Sequence, residues 1–288
     1  MTSDSAEGNT YLLDAGNPSE VARLIDQDRI FTKAMGGPLA GLPDPSTFHT
    51  VLDLGCGPGG WVLDVAFAYP HLDVAGVDIS QTMINYANAR ARSQYLTNAS
   101  FGIMDITKPL DFADNSFSLV NARCLSASIL NDAWPAFLAE CYRILHPGGI
   151  LRLTEMIDIG TTNSPSYGRI AALWYLASWQ AGYSFSPGGQ AMGLSHMLPS
   201  FLRTIKMQNI QYKPHALEIS ANAEAWPEFY YNVEVGGRQV RSFLAKTGLI
   251  TQEDLELLYQ QAIIEILSDD FCGIWHLMST WGNKPIDE

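Results

Sequence analysis

Basic residues are scarce in this sequence. Lys and Arg together number 17, against 30 Asp and Glu, so the 288-residue chain has a formal net charge of −13. Proteins that bind nucleic-acid phosphates use clustered Lys and Arg, and the basic residues here are scattered along the chain. We therefore expect no nucleic-acid partner.

Long apolar runs are also missing. No apolar stretch approaches the roughly 20 residues that a membrane-spanning helix needs. The N-terminus, MTSDSAEGNT, is polar and acidic, whereas a signal peptide has a basic start followed by an apolar segment. We expect no membrane span, no signal peptide and a cytoplasmic location.

Cysteine is rare, and its spacing excludes the common metal motifs. The four cysteines contain no CxxC pair and no Cys/His cluster with the spacing of zinc ligands; they are Cys56, Cys124, Cys141 and Cys272. Isolated cysteines in apolar surroundings are typical of free thiols in a reducing compartment. The sequence predicts no metal site.

Strand and helix patterns alternate over residues 50–157. Apolar segments predict five strands, separated by helical patterns: TVLDLG, LDVAGVD, ASFGIMD, SFSLVNA and ILRLTEMI. Strands that alternate with helices form right-handed βαβ units and a mostly parallel sheet. The predicted fold is therefore α/β, a Rossmann-like doubly wound sheet of about seven strands.

The flanking regions are less regular. Residues 1–47 include a helical pattern and are predicted to form an N-terminal arm or lid. Residues 48–288 are predicted to form one domain with helical cap insertions at about 160–205 and 223–268. A segment containing Pro214 resembles a strand, and because proline cannot donate to a sheet, this strand is expected at an edge.

Unusual residues end four of the predicted strands. The first strand ends in Gly55-Cys56-Gly57, the next two end in Asp78 and Asp105, and the fourth ends in Asn121–Arg123. One acid at a strand end is an ordinary turn residue. Ligands of open parallel sheets bind beyond the carboxyl ends of the strands, so acids and glycines at several neighbouring ends predict a ligand site.

The glycine loop has two interpretations. Gly55, Gly57 and Gly60 match the G-x-G-x-x-G pattern of dinucleotide sites, and Asp78 follows at about the spacing of a ribose-binding acid. Against a dinucleotide, Asp53 places a charge two residues before the first glycine, where a cationic ligand would use it. A phosphate loop is excluded because no Gly-Lys-Ser/Thr follows the glycines.

A family resemblance follows from the ordered set of motifs VLDLGCGPGG, GVDIS, GIMDI, NSFSLVNAR and CYRILHPGGILRLTE. Over residues 48–157 the chain resembles class I S-adenosylmethionine-dependent methyltransferases of the small-molecule type, including the quinone-biosynthesis C-methyltransferases. The upstream segments YLLD and EVARLIDQDRIFTKAMGGPL are similar to the helical arm of fungal secondary-metabolism regulator-like methyltransferases. That family often has Gln-His where this chain has Gln27-Asp28.

The resemblance implies S-adenosyl-L-methionine as the cofactor, with roles for the strand-end residues. The turn Gly55-Cys56-Gly57 would let the backbone approach the amino-acid tail, with Asp53 near its cationic end. Asp78 would accept both ribose hydroxyls, a bidentate task that suits a carboxylate. Asp105 would accept from the adenine amino group.

Further cofactor contacts are implied around the adenine and the methionine tail. The Ile106 amide would lie on the adenine ring, and Ile79 and Met83 would sandwich it or else pack under the following helix. The backbone from Asn121 to Arg123 would flank the methionine portion. Tyr11 would lie near the methionine tail, or else act as an apolar staple of the arm.

The implied reaction is methyl transfer to a small, apolar or aromatic acceptor, because the predicted insertions are rich in Trp, Tyr, Phe and Met. A base is needed only if the acceptor must lose a proton. His196 is the first-ranked candidate base, and a plain polar role is its alternative. Glu155 would orient the acceptor or cap a strand end. Arg123 would bind an acidic acceptor or pair with a nearby carboxylate.

Other functions remain open from the sequence. The same scaffold and cofactor would serve a cyclase or a regulatory binding module, and an NAD-dependent oxidoreductase is a weaker alternative. Nucleic-acid methylation is disfavoured because the fourth strand ends in NARC, not in the Asn/Asp-Pro-Pro-aromatic motif. The acceptor and the oligomeric state, including a homo-oligomer, are left open.

Overall fold

The computed structural model describes residues 18–286. This part of the chain contains one sheet of eight strands: β1 Thr50–Leu54, β2 Asp73–Asp78, β3 Ala99–Ile103, β4 Phe117–Arg123, β5 Leu145–Met156, β6 Thr161–Thr162, β7 Gln208–Glu218 and β8 Gly273–Asn283. The strand order is β3-β2-β1-β4-β5-β8, and both β6 and β7 pair with β8. The first five strands are parallel, and β8 runs antiparallel to β5 and β7.

Eight α-helices surround this sheet in the described residues: α1 Pro18–Met35, α2 Gly60–Ala68, α3 Gln81–Ser93, α4 Trp134–Ile144, α5 Pro165–Gln180, α6 Leu198–Thr204, α7 Trp226–Leu244 and α8 Gln252–Ile266. Helices α5 and α6 lie between β6 and β7, and α7 and α8 lie between β7 and β8. These are the two regions in which the sequence predicts insertions. The predicted α/β fold with a mostly parallel sheet is confirmed.

Alternate residues of the central strands pack on opposite faces of the sheet, as the period of two in a strand requires. Leu52 and Leu54 of β1 join the apolar cluster that contains α4 and α6. Val51 joins the opposite cluster with Trp61 and Val62 of α2. Asp53, two positions from Val51, therefore lies on the α2 face, among buried side chains.

Two strands agree with the sequence and one begins earlier than predicted. β7 pairs with β8 alone in the described residues, so the strand with Pro214 lies at an edge as predicted. The apolar segment DFCGIWHLMSTW, whose sequence pattern predicts a final strand, supplies β8. β5 begins at Leu145, before the predicted start at Ile150, because Leu145 pairs with Phe117 across a register shift.

A capping serine marks the start of α3. Ser80 is the N-cap of α3, and its hydroxyl accepts a hydrogen bond of 3.4 Å from the Met83 amide, which is the usual role of serine at this position. Among residues 18–286, no helix has the length and apolar character that a membrane span requires.

Candidate functional site

A cleft lies over the carboxyl ends of β1 to β4, beside α1. Its walls come from α1, the glycine loop after β1, the ends of β2 and β3, and the turn after β4: Leu24, Gln27, Asp28, Phe31, Asp53, Gly55, Cys56, Gly57, Pro58, Gly60, Asp78, Ile79, Met83, Met104, Asp105, Ile106, Thr107, Arg123, Cys124, Leu125 and Ser128. Most residues that the sequence predicts to bind a ligand are brought together here.

The glycine loop presents bare backbone to this cleft. Gly55, Gly57 and Gly59 have φ angles of 70°, 51° and 79°, in the left-handed region that glycine adopts at little cost. A Cβ at Gly59 would lie 2.7 Å from Phe101 and 2.8 Å from Ala87, whereas a Cβ at Gly57 would meet nothing within 4 Å. The space beside Gly57 is therefore open to a ligand.

Asp78 connects the end of β2 to the glycine loop. Its Oδ2 accepts a hydrogen bond of 2.9 Å from the Gly57 amide, and its Oδ1 accepts one of 2.8 Å from the Ser80 amide. Burial raises the pKa of Asp78, and the two amides partly offset that shift. Each carboxylate oxygen can accept a second hydrogen bond, so the carboxylate can hold the loop and still bind a ligand hydroxyl.

The ends of β2 and β3 supply a polar and an apolar side of the cleft. Asp105 accepts at Oδ1 from the amide (2.9 Å) and hydroxyl (2.7 Å) of Thr107, and its Oδ2 has no hydrogen-bond partner among the described residues. Ile79 is 37% exposed, while Met83 is buried at the cleft wall. Ile106 is buried beside Asp105.

Three polar side chains form a row across β1, β4 and β5. Asp53 pairs in register with Asn121, and Asn121 with Arg152. The Asn121 amide donates to Oδ1 of Asp53 at 2.6 Å, and Nε of Arg152 donates to the Asn121 oxygen at 2.7 Å. All three side chains are buried. Burial raises the pKa of Asp53 to about 6, although Arg123 and the Asn121 amide lower it.

Arg152 is held from two further directions. Its Nη2 donates to the Pro38 carbonyl at 2.7 Å, and its guanidinium carbon lies 5.4 Å from the centre of the Trp61 ring. Burial, with a smaller effect of Arg123, lowers the pKa of Arg152 to about 9, so it remains a cation at neutral pH. Asn121, predicted to flank the methionine portion, does not line the cleft; its side chain contacts Asp53 behind the cleft wall.

An ion pair joins α1 to the end of β4. The Arg123 guanidinium pairs with the Asp28 carboxylate, and its Nη1 also donates to the Thr32 hydroxyl at 3.1 Å. Both charged side chains are 14% exposed. Of the two sequence-based roles for Arg123, this geometry favours pairing with a carboxylate, although that carboxylate comes from α1 and not from another strand end.

The sequence predicts an arm or lid at residues 1–47, but it did not identify Leu24, Asp28 and Phe31 as residues of the cleft wall. Leu24, Asp28 and Phe31 recur at helical spacing on one face of α1, and all three line the cleft. The spacing is visible in the sequence, but nothing in it shows which surface that face covers.

The two catalytic candidates lie elsewhere. His196 is exposed and does not line the cleft, which favours a plain polar role. Glu155 is buried and also does not line the cleft; its Oε1 accepts from the Leu125 amide at 2.7 Å and its Oε2 from the Ser126 amide at 3.3 Å. The structure thus favours the strand-end cap for Glu155. Tyr11 lies outside the described residues.

Comparisons with known proteins agree with the cleft geometry. A family model described as "Methyltransferase domain" matches residues 51–149. Aklanonic acid methyltransferase DauC of Streptomyces sp. (strain C5) is 33% identical over 153 residues, which cover 50% of this chain and 68% of that protein. The chain belongs to the class I S-adenosylmethionine-dependent methyltransferases. The family expected from the motifs is confirmed.

The chain is also similar to a regulator, and it shares the fold of a solved structure. Secondary metabolism regulator laeA of Aspergillus niger (strain ATCC 1015) is 31% identical over 138 residues, 48% of this chain and 34% of that protein. Geranyl diphosphate C-methyltransferase from Streptomyces coelicolor A3(2) shares the fold, with a TM-score of 0.50 and 14% identity over 96% of this chain and 90% of that one. The chain spans less than half the length of several curated relatives, 40% for one fungal methyltransferase.

The cleft of this chain fits the cofactor of its family, S-adenosylmethionine. The open space at Gly57 leaves room for a ligand against the backbone. The carboxylates of Asp53, Asp78 and Asp105 line one cleft, and acceptor groups are what the ammonium, ribose hydroxyls and adenine amine of that molecule require. The cleft walls also carry apolar side chains for the adenine ring.

Proposed function

We propose that this protein transfers a methyl group from S-adenosylmethionine to a small, apolar or aromatic acceptor. The observation that carries the proposal is the convergence of Asp53, Asp78 and Asp105 on one cleft beside the bare backbone of Gly57. A dinucleotide site uses one acid on a ribose, and it has no use for the buried carboxylate of Asp53.

The cofactor-binding roles follow from the hydrogen-bonding capacity that remains at each residue. Asp78 would accept from the ribose hydroxyls through the free lone pairs of both oxygens, and Asp105 would accept from the adenine amine through Oδ2. Ile79 and Met83 would pack on the adenine ring. The bound cofactor supplies a methyl group on a positively charged sulfur.

The electrostatic contribution comes from Asp53. A buried carboxylate interacts strongly with a nearby cation, because the interior screens charges less than water does. Asp53 would therefore favour the cationic end of the cofactor. Asn121 and Arg152 would support this by stabilising its ionised form, since Arg152 places a positive charge behind the Asn121 amide.

The acceptor class rests on the α1 side of the cleft. Leu24 and Phe31 line it, and Phe31 packs edge-on against Trp275 at 5.3 Å between ring centres. Trp275 belongs to an apolar cluster that also contains Tyr167 and Phe229. An apolar or aromatic acceptor would bury its surface against Leu24 and Phe31, and α1 would help to exclude water from the reaction.

No histidine would act as a general base in the proposed methyl transfer. Among the described residues, none that lines the cleft is a histidine, and neither His196 nor Glu155 reaches it. The enzyme would work by positioning and by exclusion of water, with acceptors that do not need a histidine to remove a proton.

Two measurements test this function. Calorimetry should show binding of S-adenosylmethionine in preference to NAD, and tighter binding of NAD would overturn the proposal. Mass spectrometry of small apolar and aromatic acceptors, incubated with the protein and the cofactor, should then show a gain of one methyl group. Tight binding of the cofactor with no methylated product across a broad panel would favour a regulatory binding module instead.

A further inference from the structure

The turn after β4 has an unusual backbone. Cys124 is not a glycine, yet its φ angle is 56°, a left-handed conformation that costs most residues about 1 kcal/mol or more. The Cys124 amide is fixed by a hydrogen bond of 2.9 Å to the Thr154 carbonyl of β5. A strained backbone persists only where the surrounding structure holds it in place. Other residues must therefore stabilise this turn.

Glu155, the next residue of β5, holds the rest of the turn. Its two carboxylate oxygens accept hydrogen bonds from the successive amides of Leu125 and Ser126, at 2.7 Å and 3.3 Å. The side chain is 1% exposed, and in the described part of the chain no Lys or Arg forms an ion pair with it. A buried carboxylate without a cationic partner is costly, so its presence needs an explanation beyond packing.

The turn that Glu155 holds forms part of the cleft wall. Cys124, Leu125 and Ser128 all line the cleft. Leu125 packs so closely against the glycine loop that a Cβ at Gly55 would lie only 2.8 Å from its Cδ2. A shift of Leu125 would therefore move the wall beside the bare backbone where the cofactor is proposed to bind.

We infer that Glu155 is a positioning residue of the cofactor site: its carboxylate clamps the Leu125 and Ser126 amides and so fixes the strained turn that walls the cleft. This inference rests on the proposed function for the identity of the ligand. Glu155 touches neither the ligand nor the reacting atoms. It acts through Leu125, which lines the cleft and whose amide it holds.

Ionisation of Glu155 gives the clamp a dependence on pH. Burial raises the pKa of Glu155 to about 7, against the effect of the Leu125 and Ser126 amides. The titratable and charged groups around the turn are Cys124 and Arg123 at the end of β4, and Asp28 and Arg23 on α1. A carboxylate accepts two amide hydrogen bonds better than a protonated acid does, so the clamp strengthens as pH rises through 7.

The first test compares two substitutions of glutamate. In Glu155→Gln, one oxygen still accepts from Leu125, but an NH₂ group faces the Ser126 amide. The affinity for S-adenosylhomocysteine, measured by calorimetry at pH 7.5, should fall about tenfold or more. Glu265→Gln is the matched control, because Glu265 also accepts from a backbone amide, that of Ser166 at 3.0 Å, but lies outside the cleft. It should leave the affinity unchanged.

The second test needs no ligand. Hydrogen–deuterium exchange of the free protein should be faster in Glu155→Gln for the peptide that contains residues 124–128, and unchanged there in Glu265→Gln. Equal exchange in the wild type and Glu155→Gln would overturn the inference.

The third test needs no change at Glu155. The affinity of the wild type for S-adenosylhomocysteine should rise from pH 6 to 8 by more than the about twofold that ionisation of Asp53 allows, and Glu155→Gln should keep only that smaller rise. If the wild type binds and both proteins show the same pH profile, the positioning role is wrong. If the wild type fails to bind S-adenosylhomocysteine at all, the proposed function fails, while the exchange experiment still decides whether Glu155 clamps the turn.

Discussion

Asn121 donates a hydrogen bond of 2.6 Å to Asp53 from the neighbouring strand, and both side chains are buried. Asp53 nevertheless lines the cleft. Opposing effects therefore act on the ionisation of the Asp53 carboxyl group. Burial favours the protonated acid, whereas Asn121, Arg123 and a cationic ligand favour the carboxylate.

The first prediction concerns the pH dependence that Asp53 gives to cofactor binding. In the free protein its pKa is raised from 3.8 to about 6, chiefly by burial. A cationic ligand binds the ionised form better, so the affinity for S-adenosylmethionine should fall by up to tenfold per pH unit below pH 6. Calorimetry from pH 5 to 7.5 measures this, and Asp53→Asn should bind more weakly at pH 7.5 and lose the fall between pH 6 and 5. A wild-type affinity that is flat from pH 5 to 6 contradicts the role of Asp53.

The second prediction concerns Asp78→Ala. The change removes the acceptor for two ribose hydroxyls, and the affinity for S-adenosylhomocysteine should fall about 30-fold or more, or about 2 kcal/mol. It also removes the acceptor for the Gly57 and Ser80 amides, so the free energy of unfolding should fall by about 1–3 kcal/mol. Asp73→Ala, at the opposite end of β2, is the control and should leave the affinity unchanged. Equal affinities in the two variants would mean that Asp78 is only a turn residue.

The third prediction concerns Gly60→Ala. A Cβ at this position would overlap Oδ2 of Asp28, so the methyl group should push α1 away from the cleft and lower the free energy of unfolding by about 1–3 kcal/mol. In an Asp28→Ala background, which lacks the overlapping carboxylate, Gly60→Ala should cost less than it does in the wild type. Gly168→Ala in α5 is the control: its Cβ meets nothing within 4 Å, and it should stabilise the helix by about 0.5–1 kcal/mol. Denaturant unfolding measures these variants, and a neutral Gly60→Ala would show that the Asp28 side chain or α1 shifts to admit the methyl group.

The fourth prediction concerns the Asp28–Arg123 ion pair. Because both side chains are 14% exposed, a double-mutant cycle of Asp28→Asn and Arg123→Met should give a coupling energy of about 1–3 kcal/mol. The Lys33–Glu224 pair also joins α1 to another part of the chain, but its side chains are 64% and 81% exposed. Its coupling energy should be below about 1 kcal/mol. Similar values for the two pairs would mean that burial does not distinguish them.

The fifth prediction concerns Tyr11, which lies outside the described residues. The family resemblance implies that its ring or hydroxyl lies near the methionine tail of the cofactor. If so, Tyr11→Ala should weaken binding of S-adenosylhomocysteine about tenfold and leave thermal unfolding cooperative. Tyr86→Ala, at a 42% exposed position on α3, serves as control. A loss of thermal stability without a loss of affinity would support the staple role instead.

The sequence predicts the part of the site that is formed by the ends of neighbouring parallel strands. Gly55, Asp78 and Asp105 end successive parallel strands, and parallel strands place their carboxyl ends at one edge of the sheet. Their meeting at one cleft therefore follows from the strand pattern alone. The same argument fails for Glu155, which ends a strand but faces the backbone of its neighbour.

The sequence does not predict contacts between distant segments of the chain. Asp28 and Arg123 are 95 residues apart, and no periodic pattern links a surface helix to the end of a particular strand. His196 lies in a predicted insertion, between α5 and α6, where it is exposed. Loops between helices lack the register that a strand has.

The row of Asp53, Asn121 and Arg152 has a consequence for how such a sequence can change over time. Arg152 can only donate and an ionised Asp53 can only accept, so the Asn121 amide has one allowed orientation. Replacing any one member leaves a buried charge or amide without its partner, which costs several kcal/mol, whereas apolar residues at all three positions would pack without that cost. These three positions should therefore be inherited as a unit, and an alignment of relatives should show them kept together or lost together.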